Sequence, residues 1–348
     1  MQENDRIDRR GYLKGIAAAG IGTGVSALGI TGTATAQDAV LSIGEVGTIR
    51  TDQSGPGEWH TEALDGAYLT DPVVIMKPVS SQGSQPCHIR LRNVTTDSFQ
   101  YQIEEWNYLD GAHTTERFFY IAVEPGQYTL SGVATGIEAG HEPVDMNPQS
   151  VEFLATYDQN PVVLTQSQTY NGPDAIVTRT DVSSSNTFSV QLQEEEGGDS
   201  GDQVKYHETE SVGYIAFERP ASGILDPVAT DFEVGLTPNA VDDEFFEASF
   251  RQTYSQTPRF IADLQTRDGP DTSELRYQHL DRNGVDIRVE EEQSLDIETN
   301  HTTERVGYVV FGQDGLIPGI SLGIGSNSSL RSSNALSESG SDSCSDSE

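Results

Sequence analysis

The sequence predicts an all-β protein built from three tandem antiparallel six-stranded β-sandwich repeats. The first observation is an internal repeat, in which a segment begins with His, carries Glu three residues later and carries Tyr seven residues later. This segment occurs at 113–123, 207–217 and 301–311, and 94 residues separate each histidine from the next. A fixed spacing of this kind indicates that one structural unit was copied.

The other two observations are apolar alternation and turn signals. Apolar and polar residues alternate at 99–104, 188–193 and 285–290, which is typical of half-buried strands in antiparallel sheets. The pairs Asn171-Gly172 and Asp268-Gly269 lie between apolar runs and predict turns, because glycine adopts positive φ freely. Short strands, roughly 8- to 12-residue turn intervals and no helical period favour a small sandwich.

The repeats divide the chain into five expected segments. A C-terminal stretch of Ser, Asp, Glu and Asn without periodicity is typical of disorder. The segments are 1–36 (export signal), 37–132 (repeat 1), 133–228 (repeat 2), 229–325 (repeat 3) and 326–348 (disordered tail).

The N-terminus has the features of an export signal. Arg9 and Arg10, followed by Tyr12-Leu13-Lys14, resemble the twin-arginine motif, and a weakly apolar Ala/Gly-rich segment follows. Ala34-Thr35-Ala36 supplies the small residues that a signal peptidase needs. We therefore expect a protein exported by the twin-arginine route to the cell surface or the medium. No later apolar run approaches the ~20 residues of a membrane span.

The chain is strongly acidic, with 55 Asp and Glu residues against 20 Lys and Arg residues and a net charge of -35. Such a charge repels nucleic acid and anionic lipid, so neither is an expected partner. Acid that is spread along the chain suits very high salt, where the Debye length falls to ~3 Å. We expect a halophilic source; an acidic secreted protein from another environment is the alternative.

The cysteines do not predict a disulfide. Only Cys87 and Cys344 occur, and Cys344 lies in the serine-rich tail. We therefore expect the repeats to be stabilised by core burial alone or by a bound ion. No other cofactor is predicted.

The order of strands and turns resembles the H-type lectin domain. The matching residues of the first copy are Pro72–Ile75, Asn93-Val94-Thr95, Phe99–Trp106 and Tyr120–Val123. The second copy matches through 161–164, 188–192 and 214–217, and the third through 258–261, 285–289 and 308–311. Together these matches cover most of each unit.

The resemblance implies a function as well as a fold. Members of this family are six-stranded sandwiches that assemble in threes and bind N-acetylgalactosamine-type sugars between subunits. Three copies in one chain would then form a pseudo-trimer without partner chains. The expected partners are glycans or surface glycoproteins.

The repeated histidines are ligand-binding candidates. On a regular strand, His113 and Glu116 would point to opposite faces, so they would be poor metal ligands together. Three alternatives therefore remain for His113, His207 and His301. They contact a ligand, they converge around zinc, or each begins a strand and forms hydrogen bonds at a turn.

Other residues complete the set of candidates. Trp106 is a candidate platform for sugar stacking, with core burial as the alternative, and Asp174 and Asp271 of the turns are further ligand candidates. Clustered carboxylates at the strand ends leave calcium as an alternative to a solvated acidic edge. The equivalent tyrosines Tyr120, Tyr214 and Tyr308 are predicted to be structural. Asn93 and Asn300 lie in glycosylation sequons.

The sequence contains no motif for catalysis, such as G-x-S-x-G or H-E-x-x-H. Three linked copies favour multivalent binding over a single active site. The leading hypothesis is therefore an exported lectin-like protein that binds carbohydrate weakly and multivalently. A structural or adhesive surface protein without a small-molecule site is the alternative, followed by a secreted hydrolase.

Overall fold

The computed structural model describes residues 41–197, 206–295 and 297–322, which form 22 β-strands and, within these ranges, no helix. The predicted all-β class is therefore confirmed. The expected export signal with Arg9 and Arg10, the expected tail at 326–348 and Cys344 lie outside the described residues. The described residues contain no helix long and apolar enough to cross a membrane.

The strands are given in chain order. The first eight are β1 (Leu41–Gln53), β2 (His60–Ala63), β3 (Val73–Ile75), β4 (Val79–Ser80), β5 (Cys87–Arg92), β6 (Ser98–Glu105), β7 (His113–Val123) and β8 (Gly126–Leu130). The next seven are β9 (Thr135–Val144), β10 (Gln149–Glu152), β11 (Val162–Ser167), β12 (Ile176–Asp181), β13 (Thr187–Glu194), β14 (Glu210–Phe217) and β15 (Ala221–Leu225). The last seven are β16 (Thr230–Leu236), β17 (Phe246–Ser249), β18 (Arg259–Leu264), β19 (Ser273–Gln278), β20 (Gly284–Glu291), β21 (Val306–Phe311) and β22 (Gly315–Ser321).

The strand pairing recurs three times, and we call β1–β7 module 1, β9–β14 module 2 and β16–β21 module 3. The strand that carries the motif tyrosine lies between two antiparallel partners: β7 between β1 and β3, β14 between β9 and β11, and β21 between β16 and β18. Three further strands of each module pair with one another, in the orders β2-β6-β5, β10-β13-β12 and β17-β20-β19.

The predicted alternation is present where it is clearest in the sequence. Buried and partly buried residues alternate along β20 and most of β13. Phe188, Val190 and Leu192 are buried, and so are Val285, Ile287 and Val289. A strand with one apolar face is stable only when that face is covered, and these faces join the buried clusters of modules 2 and 3.

The outer strands connect the modules. β8 forms a hairpin with β9, and β15 forms a hairpin with β16. Ala134 and Ala229 have φ of 50° and 53° in the two turns, and the expected boundaries at residues 133 and 229 lie within them. In module 1, β1 pairs in the same way with β22, which lies at the opposite end of the described chain. β22 also pairs with β8. The C-terminal strand therefore closes the arrangement onto module 1.

Buried side chains replace backbone partners between modules. The Gln168 side chain of module 2 accepts a hydrogen bond from the Val74 amide at 2.9 Å and donates to the Val74 carbonyl at 2.7 Å. Gln265 of module 3 contacts Val163 in the same way, at 2.9 and 2.7 Å. An unpaired buried amide would cost about 1–3 kcal/mol, so these side chains satisfy the backbone groups of one module from the next.

The three motif tyrosines have equivalent surroundings. Tyr120, Tyr214 and Tyr308 are 6%, 4% and 6% exposed. Each lies opposite a glycine on the neighbouring strand, and a Cβ on that glycine would approach the tyrosine ring to 2.2–2.8 Å. The close approach explains why the glycine is present in each copy: Gly47, Gly140 and Gly235.

Candidate functional site

The repeated histidines form three copies of one buried network. His113 contacts Glu105 through Nδ1 at 2.7 Å and Glu116 through Nε2 at 3.1 Å. His207 contacts Glu194 at 2.6 Å and Glu210 at 3.2 Å. In the third copy, His301 contacts Glu291 through Nδ1 and, at 3.2 Å, Glu304 through Nε2. Each imidazole thus lies between two carboxylates.

The prediction that His and the following Glu point to opposite faces was wrong. Opposite orientation requires a regular strand, and the backbone between the two residues is irregular. In module 1, the register shifts between His113 and Glu116, where two residues of β7, Thr114 and Thr115, face the single residue Asp52 of β1. In module 2, the strand begins only at Glu210, so His207 precedes it. The irregular segment brings both side chains to one side.

The glutamate of each motif also binds the turn of its own module. Glu116 accepts hydrogen bonds from the Gln82 and Gly83 amides at 3.0 and 2.7 Å and from the Ser80 hydroxyl. Glu210 has equivalent donors, the Asn171 amide and the Thr169 hydroxyl. Glu304 accepts from the Asp268 and Gly269 amides and from the Thr266 hydroxyl.

The turn glycines serve a different purpose from the one predicted. Positive φ was expected for Gly172 and Gly269, but neither is among the described glycines with positive φ, and neither is Gly83 at the same place in module 1. A Cβ at each would lie 2.5–2.6 Å from the histidine ring. Real Cβ atoms do not approach so closely, so glycine is required because the imidazole packs directly on the backbone of the turn.

An arginine from a neighbouring module completes each network. Arg90 of module 1 contacts Glu210 of module 2 at 3.4 Å, and Arg179 of module 2 contacts Glu304 of module 3 at 2.9 Å. Arg276 of module 3 returns to Glu116 of module 1 at 3.0 Å. The three ion pairs therefore link module 1 to module 2, module 2 to module 3 and module 3 back to module 1.

The sequence reasoning missed these arginines and expected core burial or a bound ion to stabilise the repeats. The sequence did contain a signal, because an arginine follows the turn glycine by seven residues in every copy. All three guanidinium groups are almost fully buried. Buried charges occur when they are paired, so three buried arginines at equivalent positions indicate an ionic interface.

The network shifts the pKa values of its members. Burial alone lowers the pKa of His207, but the hydrogen bonds that its ring donates to Glu194 and Glu210 outweigh burial and raise the pKa to about 9. For His113, burial also lowers the pKa, but hydrogen bonds with Cys87, Glu116 and Glu105 outweigh it and raise the pKa to about 10. Hydrogen bonds with Glu304 and Glu291 likewise raise the pKa of His301. Burial raises the pKa of Glu304, yet His301, Thr266 and Arg179 together lower it to about 2. His113 and His207 are therefore imidazolium cations at neutral pH, and both nitrogens of His301 likewise contact carboxylates.

We expect stability to fall as the pH rises through the alkaline range. A pKa raised on folding stabilises the protein below the unfolded value of about 6.5. For His207 this stabilisation is lost as the pH rises toward 9. The melting temperature of wild-type protein should therefore fall between pH 6.5 and pH 9.5. His207→Gln should melt lower at pH 6.5 and decline less steeply.

The exposed His279 provides the control for that experiment. Its side chain is 75% exposed and contacts Asp286 at 2.8 Å, so solvent screens the pair. His279→Gln should follow the wild-type profile. Equal alkaline slopes for wild type and His207→Gln would contradict the role of the buried imidazolium.

The other ligand candidates have different surroundings from those expected. Trp106 is 2% exposed and packs with Ala175 and Val177 of module 2. Its ring has no free face for sugar stacking, so its burial corrects the expectation of an exposed platform. Asp174 and Asp271 are partly exposed; Asp174 accepts a hydrogen bond from Asn107 at 3.2 Å, and the Asp271 carbonyl accepts one from Arg179.

One group of candidate metal ligands is present in the described residues. Asp174, Glu194 and His207 bring a ligand atom each to within 4.8 Å of one another. Both nitrogens of His207 already contact carboxylates, and an imidazolium has no lone pair for a metal. The three histidines do not form a ligand group in the described part of the chain, contrary to the zinc alternative.

The acidic strand ends meet at the interface instead of forming a solvated edge. Glu195 accepts a hydrogen bond from the Tyr108 amide at 3.2 Å, and the Tyr108 hydroxyl accepts one from the Gln293 amide at 2.9 Å. The Glu196 amide donates to Glu292 at 2.7 Å. The loops after β6, β13 and β20 therefore contact one another across modules.

The two sequon asparagines within the described residues are exposed. Asn93 lies in the turn between β5 and β6 with φ of 50°, and its amide donates to Gln100 at 2.9 Å. Asn300 lies in the loop before His301. Both positions are accessible to modification of an exported chain.

The fold and this network define an all-β protein with recurring modules linked by buried ion pairs. Comparison with known proteins finds no matching family model and no matching solved structure. The chain is similar to halomucin of Haloquadratum walsbyi (strain DSM 16790 / HBSQ001), with 32% identity over 282 residues. The match covers 78% of this chain and 3% of halomucin, so the chain spans a small part of that relative's length.

Proposed function

We propose that this chain is a rigid structural component of an exported, surface-type protein in a high-salt environment. The observation that carries the proposal is the burial of the triplicated residues. If triplication served multivalent binding, the residues present in every copy should be accessible to a ligand. Instead, the repeated His and Glu side chains are buried against each other within each module. The repeated Arg side chains contact the motif glutamate of a neighbouring module.

The recurring strand pairing supports three β-sandwich modules that form one closed body. β22 occupies beside β1 the position that β8 and β15 occupy beside β9 and β16. We infer that the first module is completed by the last strand of the chain. A body closed in this way resists separation of its modules, which suits a surface component. The acidic composition and the similarity to halomucin of Haloquadratum walsbyi support the high-salt setting.

Scattering from residues 41–322 in molar KCl tests this proposal. A compact body of this length should have a radius of gyration of about 19 Å. An extended string of three separate modules would give a much larger value and would contradict the proposal. The same measurement at low salt provides the comparison, because weaker screening increases repulsion within an acidic chain.

Carbohydrate binding is the second candidate, and one cleft favours it. A cleft of about 510 Å³ lies between modules 1 and 2 and is lined by polar side chains from both. Asp71 and Asn93 come from module 1, and His141 and Thr169 come from module 2. Sugar sites combine such convergent hydrogen-bonding groups with a concave surface.

Calorimetric titration with N-acetylgalactosamine in molar KCl separates the two candidates. A lectin should give saturable heat. Its affinity for the sugar should fall at least tenfold in Asp71→Asn, since a lost hydrogen bond to a charged group costs about 1.5–3 kcal/mol. Asp158→Asn, outside this cleft, is the matched control. If no hexosamine gave heat and the scattering profile were compact, carbohydrate binding would be rejected and only the structural function would remain.

A further inference from the structure

Two arginines face each other across neighbouring strands in module 1. Arg50 of β1 is the direct register partner of Arg117 of β7. Directly opposed residues have Cβ atoms about 4.5–5.5 Å apart, and like charges in such a pair are destabilising. The pair is unexpected in a chain that has 20 basic residues and a net charge of -35.

No carboxylate neutralises this pair among the described residues. Neither Arg50 nor Arg117 takes part in the ion pairs of that part of the chain. The one acid that lines the same cleft, Glu116, is buried and already contacts His113, Arg276 and the turn of its own module. Within the described residues, solvent and the Phe119 ring, 5.6 Å from the Arg117 guanidinium, thus surround the pair in place of a carboxylate partner.

The arginine pair lines a cleft between modules 1 and 3. The cleft has a volume of about 180 Å³, equivalent to about six water molecules. Gln82 and Thr115 of module 1 and Gln278 and His279 of module 3 also line it and provide uncharged or weakly basic donors. His279 contacts Asp286 at 2.8 Å, so that carboxylate is also engaged.

The Arg117 side chain is held in place on the cleft wall. Its Nε donates to the Tyr277 hydroxyl at 3.2 Å, and that hydroxyl donates to the Arg117 carbonyl at 2.9 Å. Tyr277 belongs to module 3 and is buried. The two terminal nitrogens of the guanidinium remain for an acceptor, and a planar fork of donors fits oxyanions well.

The equivalent position of module 2 lacks this charge. Counting back from the motif tyrosine, Ser211 and Pro143 occupy the places of Arg117 and Arg50. The neighbouring cleft between modules 1 and 2 contains Asp71, Asn93 and His141 and no arginine. Module 3 has Arg305 at the place of Arg117, but Pro238 stands at the place of Arg50. The opposed pair of arginines therefore occurs in one module and is not a requirement of the repeated fold.

We propose that the cleft between modules 1 and 3 binds an oxyanion, a sulfate or carboxylate group, between Arg50 and Arg117. The anion offsets the repulsion of the pair and also links β1 and β7 to module 3. The group is either a free inorganic anion or a substituent on an acidic sugar. This proposal is independent of the structural function and of the 510 Å³ cleft.

Thermal denaturation of the full mature chain tests the site. Potassium sulfate is exchanged for KCl at constant ionic strength, and the melting temperature is followed. Wild type should show a saturable rise of several degrees on top of the gradual effect that sulfate has on every protein. Arg50→Gln and Arg117→Gln should lose the saturable part, whereas Arg259→Gln should keep it. The same gradual rise in all four proteins would overturn the proposal.

Two further measurements locate the ligand and its source. Crystals soaked in selenate should give an anomalous peak between the two guanidinium groups, and peaks only elsewhere would count against the site. A sulfated disaccharide should bind at least tenfold more tightly than its unsulfated form. Tighter binding of the sulfated sugar than of sulfate identifies a glycan substituent, equal binding identifies the free anion, and binding unaffected by Arg50→Gln rejects both.

Discussion

Replacing Arg179 by alanine should lower the free energy of unfolding by about 3–5 kcal/mol, because the change leaves a buried carboxylate without its partner. The side chains of Arg179 and Glu304 are both 0% exposed, and they lie 2.9 Å apart. Arg179 also donates to the Asp271 carbonyl at 2.8 Å, to Ser273 at 2.6 Å and to the Gln193 side chain at 3.5 Å, so several acceptors lose a donor at once. Chemical denaturation in molar KCl measures the loss.

A surface pair provides the matched control. Arg259 contacts Asp314 at 2.6 Å, but the two side chains are 17% and 47% exposed. Exposed pairs contribute about 0–1 kcal/mol, so Arg259→Ala should cost far less than Arg179→Ala. Equal losses in the two variants would show that the buried pair does not hold modules 2 and 3 together.

Removing β22 should have the second large effect. Deletion of residues 315–348 exposes the edge of β1 and separates β1 from β8, because β22 pairs with both. It also removes Ile317, which is 0% exposed. The lost burial and ladder hydrogen bonds together should cost on the order of 5 kcal/mol. Hydrogen exchange should then be fastest in module 1, with the melting temperature lowered by many degrees.

A shorter deletion distinguishes strand closure from a general effect of the C-terminus. Removal of residues 323–348 keeps all of β22 and should leave the melting temperature unchanged. If both truncated proteins melted at the same temperature as the full chain, the pairing of β22 with β1 would not contribute to stability. Wild-type exchange rates in β1 provide the reference.

The sequence predicted the strands well because their signals are local. Alternation at 188–192 and 285–289 reflects burial of one face, and both segments are strands with that face inside. The tyrosines at a fixed spacing predicted equivalent environments, and all three are buried opposite a glycine. Period-two patterns are decided within a few residues, so the sequence alone carries them.

The candidate site was harder to predict because its geometry depends on distant residues. The motif His and Glu were assigned to opposite faces, since a regular strand would place them so, but a register shift brings His113 and Glu116 together. Trp106 was a candidate sugar platform, yet module 2 covers its ring. Neither the register shift nor the covering of Trp106 by module 2 has a signal in the local pattern.

By itself, the sequence determined the all-β class, the triplication and the strongly acidic composition, because these depend on local periodicity and on residue counts. Only the tertiary structure decided that Arg90, Arg179 and Arg276 pair with glutamates of neighbouring modules and that β22 completes the sheet beside β1. The physical reason is that a buried charge or an open strand edge requires a partner, but the requirement does not specify which distant residue supplies it.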